Sequence, residues 1–410
     1  MTSQPKDSSQ AFPWHSRYPE VGTGPLPIEP LLSQSDFEKQ RDHVFKKCWL
    51  HVGRVDSIPK RGDYFVAQVD IAKASIIIVR QPDGGIGAFH NVCTHRGNKL
   101  VWNEKGRCAG FLACNFHGWV FDTKGNVANI PDIENFYDLD KASLGLKKVR
   151  VDVWEGFVFI NLDAEGTQSL HDYLGEVVDR VAGFDFNRLP THTHWRTKMR
   201  CNWRIIADAQ LEGYHAPYLH ARTLQDAFTG KENEHLHILD FETLGLHSVQ
   251  SYPFNPDVKL KGVDELVSKY GTSMAQGLDT DSYELPSGLN ASKAKNWQFD
   301  MFYIYPNFNL LLFRDSYLIH QYWPDAVDQS TWDVHLFQAK ARTAAELFVQ
   351  EQVKCFMREA ATEDGGTHEH TQEAVESGAV KMIQLKDEEI GVRHSYVTLE
   401  TMIAKAEAAQ

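Results

Sequence analysis

Apolar and polar positions follow three different patterns along the chain, and the first predicts an arm and a helix over residues 1–45. Residues 1–30 are rich in Pro, Ser and Gly, which is typical of an extended arm. Residues 35–38 have the capping-box sequence SDFE, and Phe37, Val44 and Phe45 then recur at helical spacing. A helix is therefore expected to begin near Ser35.

Short strands separated by turn sequences are expected over residues 46–165. The run SIIIV at 75–79 leads into DGG at 83–85, and WVF at 119–121 leads into DTKG at 122–125. Val149, Val151 and Val153 alternate with other residues, and FVFI at 157–160 closes the region. The pattern predicts a small all-β domain built from hairpins.

Residues 166–410 mix helical and strand patterns. Helical stretches flank 205–220, strand-like runs occur at 302–305, 310–313, 317–322 and 332–337, and the capping box TAAE at 343–346 predicts a helix running towards residue 357. These elements predict an antiparallel sheet with helices packed on it. The whole chain is therefore expected to be an α+β protein, with an all-β domain followed by a helix-on-antiparallel-sheet domain.

Composition narrows the class of protein. Among 410 residues, 42 Lys and Arg stand against 55 Asp and Glu, and a net charge of −13 argues against a nucleic-acid partner. No run approaches the roughly 20 apolar residues that cross a bilayer, and the N-terminus lacks the apolar core of a secretory signal. With its cysteines otherwise scattered, the chain is expected to be cytoplasmic and not bound to a membrane.

Two cysteine–histidine pairs stand out in the predicted β domain. They are Cys93 and His95 in CTHRG, and Cys114 and His117 in CNFHGW. Thiolate and imidazole ligands bind zinc or iron–sulfur clusters. A zinc site usually pairs Cys with Cys and His with His, whereas each pair here mixes the two types. The spacing therefore favours a [2Fe–2S] cluster with two Cys on one iron and two His on the other, with structural zinc as the alternative.

A second constellation lies in DAQLEGYHAPYLH at 208–220. Asp208, Glu212 and His215 are spaced i, i+4 and i+7, so a helix would place all three on one face. His220 would lie about 140° from His215 on an ideal helix, but Pro217 is expected to bend the chain and bring the two imidazoles together. Two imidazoles and a carboxylate form the facial triad of non-heme Fe(II) oxygenases.

Both constellations resemble one family, the α subunits of Rieske-type ring-hydroxylating and related oxygenases, and VDVWEGFVFINL at 151–162 resembles the strand that ends its Rieske domain. The resemblance implies that Cys93, His95, Cys114 and His117 hold a [2Fe–2S] cluster.

By the same resemblance, His215 and His220 bind a mononuclear Fe(II). The family's third ligand comes from a late helix with an acidic pair followed by Gln, and Glu363, Asp364 and Gln372 match that spacing, so Asp364 is expected to be the third ligand.

Nearby polar residues are weaker candidates for the metal. Glu359 and Glu363 are alternative carboxylates, and His368 and His370 are expected to lie solvated in a polar loop. Asp208 is expected to act in catalysis together with Glu212.

Glu212 departs from the family pattern, which usually has Asp at this position. In the family, that acid bridges the mononuclear iron to the Rieske cluster of a neighbouring subunit, in a ring of three subunits. The resemblance therefore implies a homotrimer in which electrons pass through His117, Glu212 and His215. A Glu at this position resembles the branch that acts on quaternary ammonium compounds such as carnitine.

The implied function is that of a terminal oxygenase component. It would take electrons from an NAD(P)H-dependent reductase, directly or through a ferredoxin, and use O2 to hydroxylate or N- or O-dealkylate an aromatic or other small organic substrate. A cis-dihydroxylating ring dioxygenase and a quaternary-ammonium monooxygenase are alternatives. A hypothesis from a different class is a Rieske electron-transfer protein without oxygenase activity.

Two further groups of residues have two interpretations each. Basic residues beside the cluster motif either dock an acidic redox partner or form a solvated loop; they are Arg96, Lys99, Lys105 and Arg107. Aromatic residues of the C-terminal part either line a pocket or fill the sheet core; they are Trp297, Phe302, Tyr303, Phe308, Tyr322 and Trp323.

Overall fold

The computed structural model describes residues 13–260, 262–270 and 284–408, and it divides the chain into two compact units. One unit is Gln40–Tyr173, and the other combines the residues up to Lys39 with those from Leu174 onward. Residues 13–39 therefore belong to the same unit as the C-terminal half of the chain. The first twelve residues of the predicted extended arm lie outside the described residues, and the rest of the arm is partly helical, at Pro13–Arg17 and from Glu29. Within the described residues, no helix is both long enough and apolar enough to cross a membrane.

The strands are β1 Leu26–Pro27, β2 Trp49–Arg54, β3 Asp63–Val69, β4 Ala74–Arg80, β5 Ile86–His90, β6 Lys105–Arg107, β7 Phe111–Ala113, β8 Val120–Asp122, β9 Val127–Asn129, β10 Arg150–Trp154, β11 Phe157–Asn161, β12 Thr191–Met199, β13 Asp240–Leu244, β14 His247–Pro253, β15 Trp297–Ile304, β16 Phe308–Leu312, β17 Ser316–Ala326, β18 Gln329–Gln338 and β19 Met382–Ile383. The helices are α1 Pro13–Arg17, α2 Glu29–Leu32, α3 Gln34–Gln40, α4 Leu170–Leu174, α5 Glu176–Val181, α6 Trp203–Gln210, α7 Ala216–Leu219, α8 Gln225–Phe228, α9 Val263–Tyr270, α10 Ala344–Glu376 and α11 Ile390–Ala408.

The unit Gln40–Tyr173 is built from antiparallel hairpins, as the sequence predicts. Its sheets have the strand orders β5-β4-β3-β6, β10-β11-β2 and β7-β8-β9. The predicted turns at 83–85 and 122–125 join β4 to β5 and β8 to β9. The apolar core includes Phe89, Trp119 and Phe121 together with Cys93 and Cys114. The two cysteines are thus held by the packed centre of this unit.

The other unit is organised around a seven-stranded antiparallel sheet in the order β12-β18-β17-β16-β15-β14-β13. Helix α6 packs on β17 and β18, and α10 packs on α6 and β12. Helix α11 lies against β13 and β14. The predicted α+β class, with helices on an antiparallel sheet following an all-β region, is confirmed.

Two helix starts test the capping predictions. Thr343 caps α10, since its Oγ1 accepts the Glu346 N–H at 3.1 Å, and the helix continues to Glu376, well past residue 357. The predicted capping residue, Ser35, is wrong by two positions. Helix α3 begins at Gln34, and Ser33 Oγ accepts the Asp36 N–H at 3.1 Å, because the Ser33 hydroxyl stands three residues before that donor.

Candidate metal centres

Two loops of the unit Gln40–Tyr173 share one backbone geometry around Cys93 and Cys114. Each cysteine N–H donates to the carbonyl five residues later, at 2.8 Å in both loops. The N–H groups of Gly97 and Gly118 return to the two cysteine carbonyls at 2.9 and 3.0 Å. Both glycines have positive φ, +78° and +72°, which a side chain would strain. The repeated motif therefore folds into two matched loops.

Hydrogen-bond donors surround the two sulfur atoms. The N–H groups two and three residues after each cysteine point at its Sγ, and the Asn98 amide lies 3.7 Å from Cys114 Sγ. Burial raises the pKa of the Cys93 thiol. Burial also opposes ionisation of Cys114, but its hydrogen-bond donors outweigh that effect and lower the pKa of its thiol. Donors of this kind stabilise sulfur that carries negative charge.

The two imidazoles of the motif lie beside each other. His95 and His117 have ring centroids 4.6 Å apart, and His95 stacks on Trp119 at 4.9 Å. His95 Nδ1 is buried without a hydrogen-bond partner among the described residues. A buried ring nitrogen without a partner is costly unless it binds something. Two neighbouring thiols and two neighbouring imidazoles, one with this nitrogen and the other on the exposed His117, fit a [2Fe–2S] cluster with Cys and His ligands.

A second donor set lies in the other unit. His215 Nε2 is 3.2 Å from His220 Nε2, and Asp364 Oδ1 is 3.2 Å from His220 Nε2 and 3.6 Å from His215 Nε2. Donor atoms at adjacent corners of a coordination sphere with bonds of about 2.1 Å lie about 3.0 Å apart. Gln210 Nε2 holds Asp364 Oδ2 at 3.0 Å, which leaves Oδ1 directed at the imidazoles. The three residues therefore fit one divalent ion.

A carboxylate holds the second nitrogen of each imidazole. His215 Nδ1 lies 2.5 Å from Glu212 Oε1, and His220 Nδ1 lies 2.8 Å from Glu363 Oε2, which also accepts the Thr223 hydroxyl at 2.7 Å. A proton held at Nδ1 leaves the Nε2 lone pair available. Carboxylate partners of this type fix ring orientation and increase ligand basicity. Both Nε2 atoms are thus prepared to bind a metal.

The predicted continuous helix over 208–215 is wrong. Helix α6 ends at Gln210, because the Glu212 carboxylate accepts the backbone N–H groups of Tyr214 and His215 and so competes with helical hydrogen bonding. Pro217 does not bend a helix either. It lies in the first turn of α7, where its missing N–H costs nothing. The helix is interrupted between Gln210 and Ala216, before Pro217, and beyond this break the two imidazoles lie together.

Asp208 lies apart from the triad, because it precedes the break in the chain. Its Oδ2 accepts the Tyr396 hydroxyl at 3.0 Å, and its Oδ1 is 3.4 Å from Arg204 Nη2. The buried Arg204 guanidinium also lies over the Tyr396 ring at 3.7 Å. Burial raises the pKa of Asp208, and this effect exceeds the lowering of the pKa by the positive charge of Arg204. The contacts of Asp208 therefore join α6 to α11.

The prediction of a polar loop around His368 and His370 is wrong, because both residues lie in α10. The same helix carries the other candidates from this part of the sequence, which are Glu359, Glu363, Asp364 and Gln372. His368 is buried against Trp332, one turn after Asp364, whereas the His370 side chain is 82% exposed. Gln372 Oε1 accepts the Asn202 N–H at 2.9 Å. Glu359 is exposed. The long helix therefore presents Asp364, His368 and Gln372 on its buried face.

A cavity of about 330 Å³ opens beside the triad. Its wall is mostly apolar and includes Met301, Leu311, Leu318 and Val334. Charged side chains that also line it are Glu212, Arg222, Asp226, Lys259, Asp264 and Asp364. An apolar cavity with a few convergent polar groups is typical of a small-molecule site.

The aromatic residues singled out in the sequence do not line this cavity. Of the six, five are buried in the sheet core and Trp323 is half-buried. The cavity instead contains His320 and Gln210, which were missed as site residues. Gln210 stands two residues before Glu212 and could have been found from that spacing. His320 gives no sequence signal, because it alternates within an ordinary strand.

The basic residues beside the cluster motif are all exposed. Arg107 forms an ion pair with Asp63, with Nε and Oδ1 2.7 Å apart. Arg96 lies over the Phe116 ring at 5.5 Å, and that ring is itself 56% exposed. Both interpretations of the basic stretch remain predictions.

Two family models match the chain. The Rieske [2Fe–2S] domain model covers residues 48–150, and the model described as ring hydroxylating alpha subunit (catalytic domain) covers residues 186–405. These models imply a [2Fe–2S] cluster and a mononuclear iron, and both donor sets fit their metals. The ranges coincide with the regions that hold the two sets.

Curated relatives match over part of the chain. The oxygenase subunit of carnitine monooxygenase from Escherichia coli is 33% identical over 48% of this chain and 52% of its own length. The alpha subunit of benzene 1,2-dioxygenase from Pseudomonas putida is 34% identical over 44% of this chain and 41% of its own length. The alignments thus span about half the length of these relatives.

Solved structures share the fold over almost the whole chain. A quaternary ammonium Rieske monooxygenase, whose structure concerns carnitine oxidation and inter-subunit electron transfer, matches 94% of this chain and 96% of its own with a TM-score of 0.73 and 19% identity. Naphthalene 1,2-dioxygenase from Rhodococcus sp. matches 97% of both chains with a TM-score of 0.71 and 18% identity. The chain belongs to the family of ring-hydroxylating alpha subunits and carries a Rieske domain ahead of its catalytic domain.

Proposed function

We propose that this chain is the terminal oxygenase component of a multicomponent Rieske system. It would use O2 and electrons derived from NAD(P)H to hydroxylate a small organic substrate or to remove an N- or O-alkyl group. The observation that carries the proposal is the triad His215, His220 and Asp364, whose donor atoms lie 3.2–3.6 Å apart at the edge of an apolar cavity. A protein that only transfers electrons needs neither the triad nor the cavity.

The residues of the chain have separate tasks in this proposal. When bound, the cluster supplies electrons and the mononuclear iron supplies the activation of O2. His215, His220 and Asp364 would hold the iron, while Glu212 and Glu363 would keep the two imidazoles in the tautomer that can bind it. The apolar wall positions the substrate and limits the access of water.

Electron transfer between subunits is part of the proposal. Glu212 Oε1 holds His215 Nδ1 at 2.5 Å, and His117 is exposed at the cluster of its own unit. An acid between two such imidazoles would connect a cluster to an iron in a neighbouring chain. We therefore propose a homotrimer, with a ferredoxin or an NAD(P)H-dependent reductase as the electron donor and with a cytoplasmic location.

A quaternary-ammonium monooxygenase is the second candidate function. It is supported by Glu212 and by the similarity to carnitine monooxygenase. The cavity also contains the rings of Tyr252 and Phe299 and the carboxylates of Asp226 and Asp264, which suit a cation. A cis-dihydroxylating dioxygenase remains the alternative that the similarity to benzene 1,2-dioxygenase supports.

Iron content tests the proposed function. The wild-type protein is expected to hold about three iron atoms per chain, two in the cluster and one mononuclear. His220→Ala is expected to lose one of them, to keep the visible absorption of the cluster and to stop reductase-driven O2 consumption. His370→Ala, an exposed histidine on α10, is the matched control and is expected to keep all three. Unchanged iron content and O2 consumption in His220→Ala would contradict the proposal.

A further inference from the structure

His320 is a polar side chain in the wall of the cavity. It lies on β17, is 6% exposed, and shares the wall with Leu318 and Val334. Asp364 is close enough for its charge to act on the His320 ring. The imidazole therefore borders the cavity near the residue that completes the triad.

The tautomer of His320 follows from one hydrogen bond. Trp332 Nε1 lies 3.2 Å from His320 Nδ1, and an indole N–H can only donate. Nδ1 of His320 must therefore accept and carry no proton. Burial lowers the pKa of His320 to about 4, so the ring is neutral near pH 7. Its single proton consequently lies on Nε2.

The Nε2–H group of His320 has no acceptor among the described residues. Its only hydrogen bond there is the one from Trp332 to Nδ1, and no carboxylate lies within ion-pair distance of either ring nitrogen. Nε2 is also not sealed from the cavity, in contrast to both ring nitrogens of His368, which are enclosed and unpartnered. A donor without a protein acceptor thus borders the cavity, next to the apolar side chains of Leu318 and Val334.

A purely structural role explains this arrangement poorly. A donor left without an acceptor in a dry site destabilises the folded protein, and an apolar residue would fill the wall without that cost. A bound partner with an oxygen acceptor removes the cost. Leu311 and Leu318 offer no acceptor in their side chains, and the Met301 thioether already accepts the Asn309 amide at 3.7 Å.

We propose that His320 Nε2–H donates a hydrogen bond to the substrate, and that the substrates of this cavity carry an oxygen acceptor, such as a carbonyl or carboxylate, near the carbon that faces the triad. The proposal rests on the proposed function, because it takes the cavity as the substrate site. It makes His320 a residue that selects among apolar molecules of similar size.

A matched pair of probes tests this selection. Acetophenone and α-methylstyrene have nearly the same shape, but only acetophenone has a carbonyl oxygen. Binding of each to the iron-loaded full chain is measured by calorimetry without reductant. The wild-type protein is expected to bind acetophenone about tenfold more tightly, the effect of one hydrogen bond to a buried donor.

Three variants separate the hydrogen bond from the shape of the cavity. His320→Phe is expected to abolish the preference, and His320→Gln, which keeps an N–H donor, is expected to retain part of it. Leu318→Met, two residues earlier in the same wall, is the matched control and is expected to leave the ratio of the two Kd values unchanged. Cluster absorption and the unfolding temperature show whether each variant is folded.

Equal affinity of the wild-type protein for the two probes, or no binding of either, overturns the proposal for His320. A preference that survives in folded His320→Phe overturns it as well. The comparison within the wild-type protein holds even if His320→Phe does not fold. The proposed function is judged separately, by iron content and O2 consumption in His220→Ala, so the two failures are distinguishable.

Discussion

At the scale of single residues, the donor atoms of the triad are oriented by other side chains. Glu212, Glu363 and Gln210 each hold the far atom of one donor residue at 2.5–3.0 Å. Rotation of either imidazole or of the carboxylate would break one of these bonds. The triad is therefore rigid before a metal arrives, which reduces the cost of ordering it on binding.

Loss of Glu363 is expected to weaken mononuclear iron binding without affecting the cluster. Glu363→Ala removes the acceptor of His220 Nδ1–H and of the Thr223 hydroxyl. Loss of such a partner lowers metal affinity by about 10- to 100-fold. Fe(II) titration of protein stripped of mononuclear iron measures the affinity, with cluster absorption as an internal reference. Glu359→Ala, on the exposed side of the same helix, is the control, and equal affinities in the two variants would contradict the expectation.

The buried ring of His368 is expected to make stability depend on pH. Burial lowers the pKa of His368 to about 4, whereas an unfolded histidine titrates near its ordinary value of 6.5. Between these values the unfolded state binds the extra proton, so stability falls as the pH falls from 6.5 towards 4. At pH 5 the loss is about 2 kcal/mol relative to neutral pH.

Unfolding of protein stripped of mononuclear iron, followed from pH 7 to pH 5, measures this loss. His368→Phe removes the titrating group and keeps a ring against Trp332, so its stability is expected to fall less steeply. His370→Phe replaces an exposed histidine two residues later and should keep the wild-type slope. Parallel slopes for wild type and His368→Phe would contradict the role of this ring.

At the scale of elements, sequence patterns predict strands better than they predict where helices end. The hairpins of the β unit and the cap at Thr343 follow from local chemistry, and the structure has them. The end of α6 at Gln210 depends on Glu212 taking two backbone N–H groups, and spacing alone does not show this. The prediction that His215 and His220 lie close together is therefore correct, but the predicted cause, a helix bent at Pro217, is wrong.

Strand β14 shows how a buried strand can lack an alternating pattern in the sequence. Its residues are buried along its whole length although many are polar, so apolar and polar positions do not alternate. Gln250 Nε2 donates to the Leu211 carbonyl at 3.0 Å, and Ser251 Oγ donates to Asp300 at 2.6 Å. These partners are distant in sequence. Polar side chains that are buried and hydrogen-bonded to distant residues leave no alternation of apolar and polar positions in the sequence.

Two helix caps are expected to contribute very different amounts to stability. Asn202 caps α6 by accepting the Arg204 N–H at 2.9 Å, and its buried amide also donates to the carbonyls of Leu31 and Val327. Asn202→Ala loses the cap and leaves buried carbonyls unpartnered, a cost of about 3 kcal/mol. Thr343→Ala loses only an exposed cap, a cost of about 1 kcal/mol. Thermal unfolding of both variants measures the difference, and equal losses would contradict the interpretation.

At the scale of the whole molecule, the proposed reaction needs two donor sets that belong to different units of the chain. The cluster residues lie in the unit Gln40–Tyr173, and the triad lies in the other. If electrons cross between subunits, neither centre needs its counterpart in the same chain. A subunit without a cluster and a subunit without mononuclear iron would then complement each other.

Mixed oligomers test this directly. Cys114→Ser is expected to lose the cluster and His220→Ala the mononuclear iron, so each variant alone is inactive. In oligomers assembled from equal amounts, half of the chains keep a complete triad, and half of those have a neighbour with a cluster. About a quarter of wild-type activity is therefore expected from random assembly. A mixture that stays inactive, although its mass shows assembled oligomers, would mean that electrons travel within one chain, and Glu212 would then lose its proposed role as the bridge.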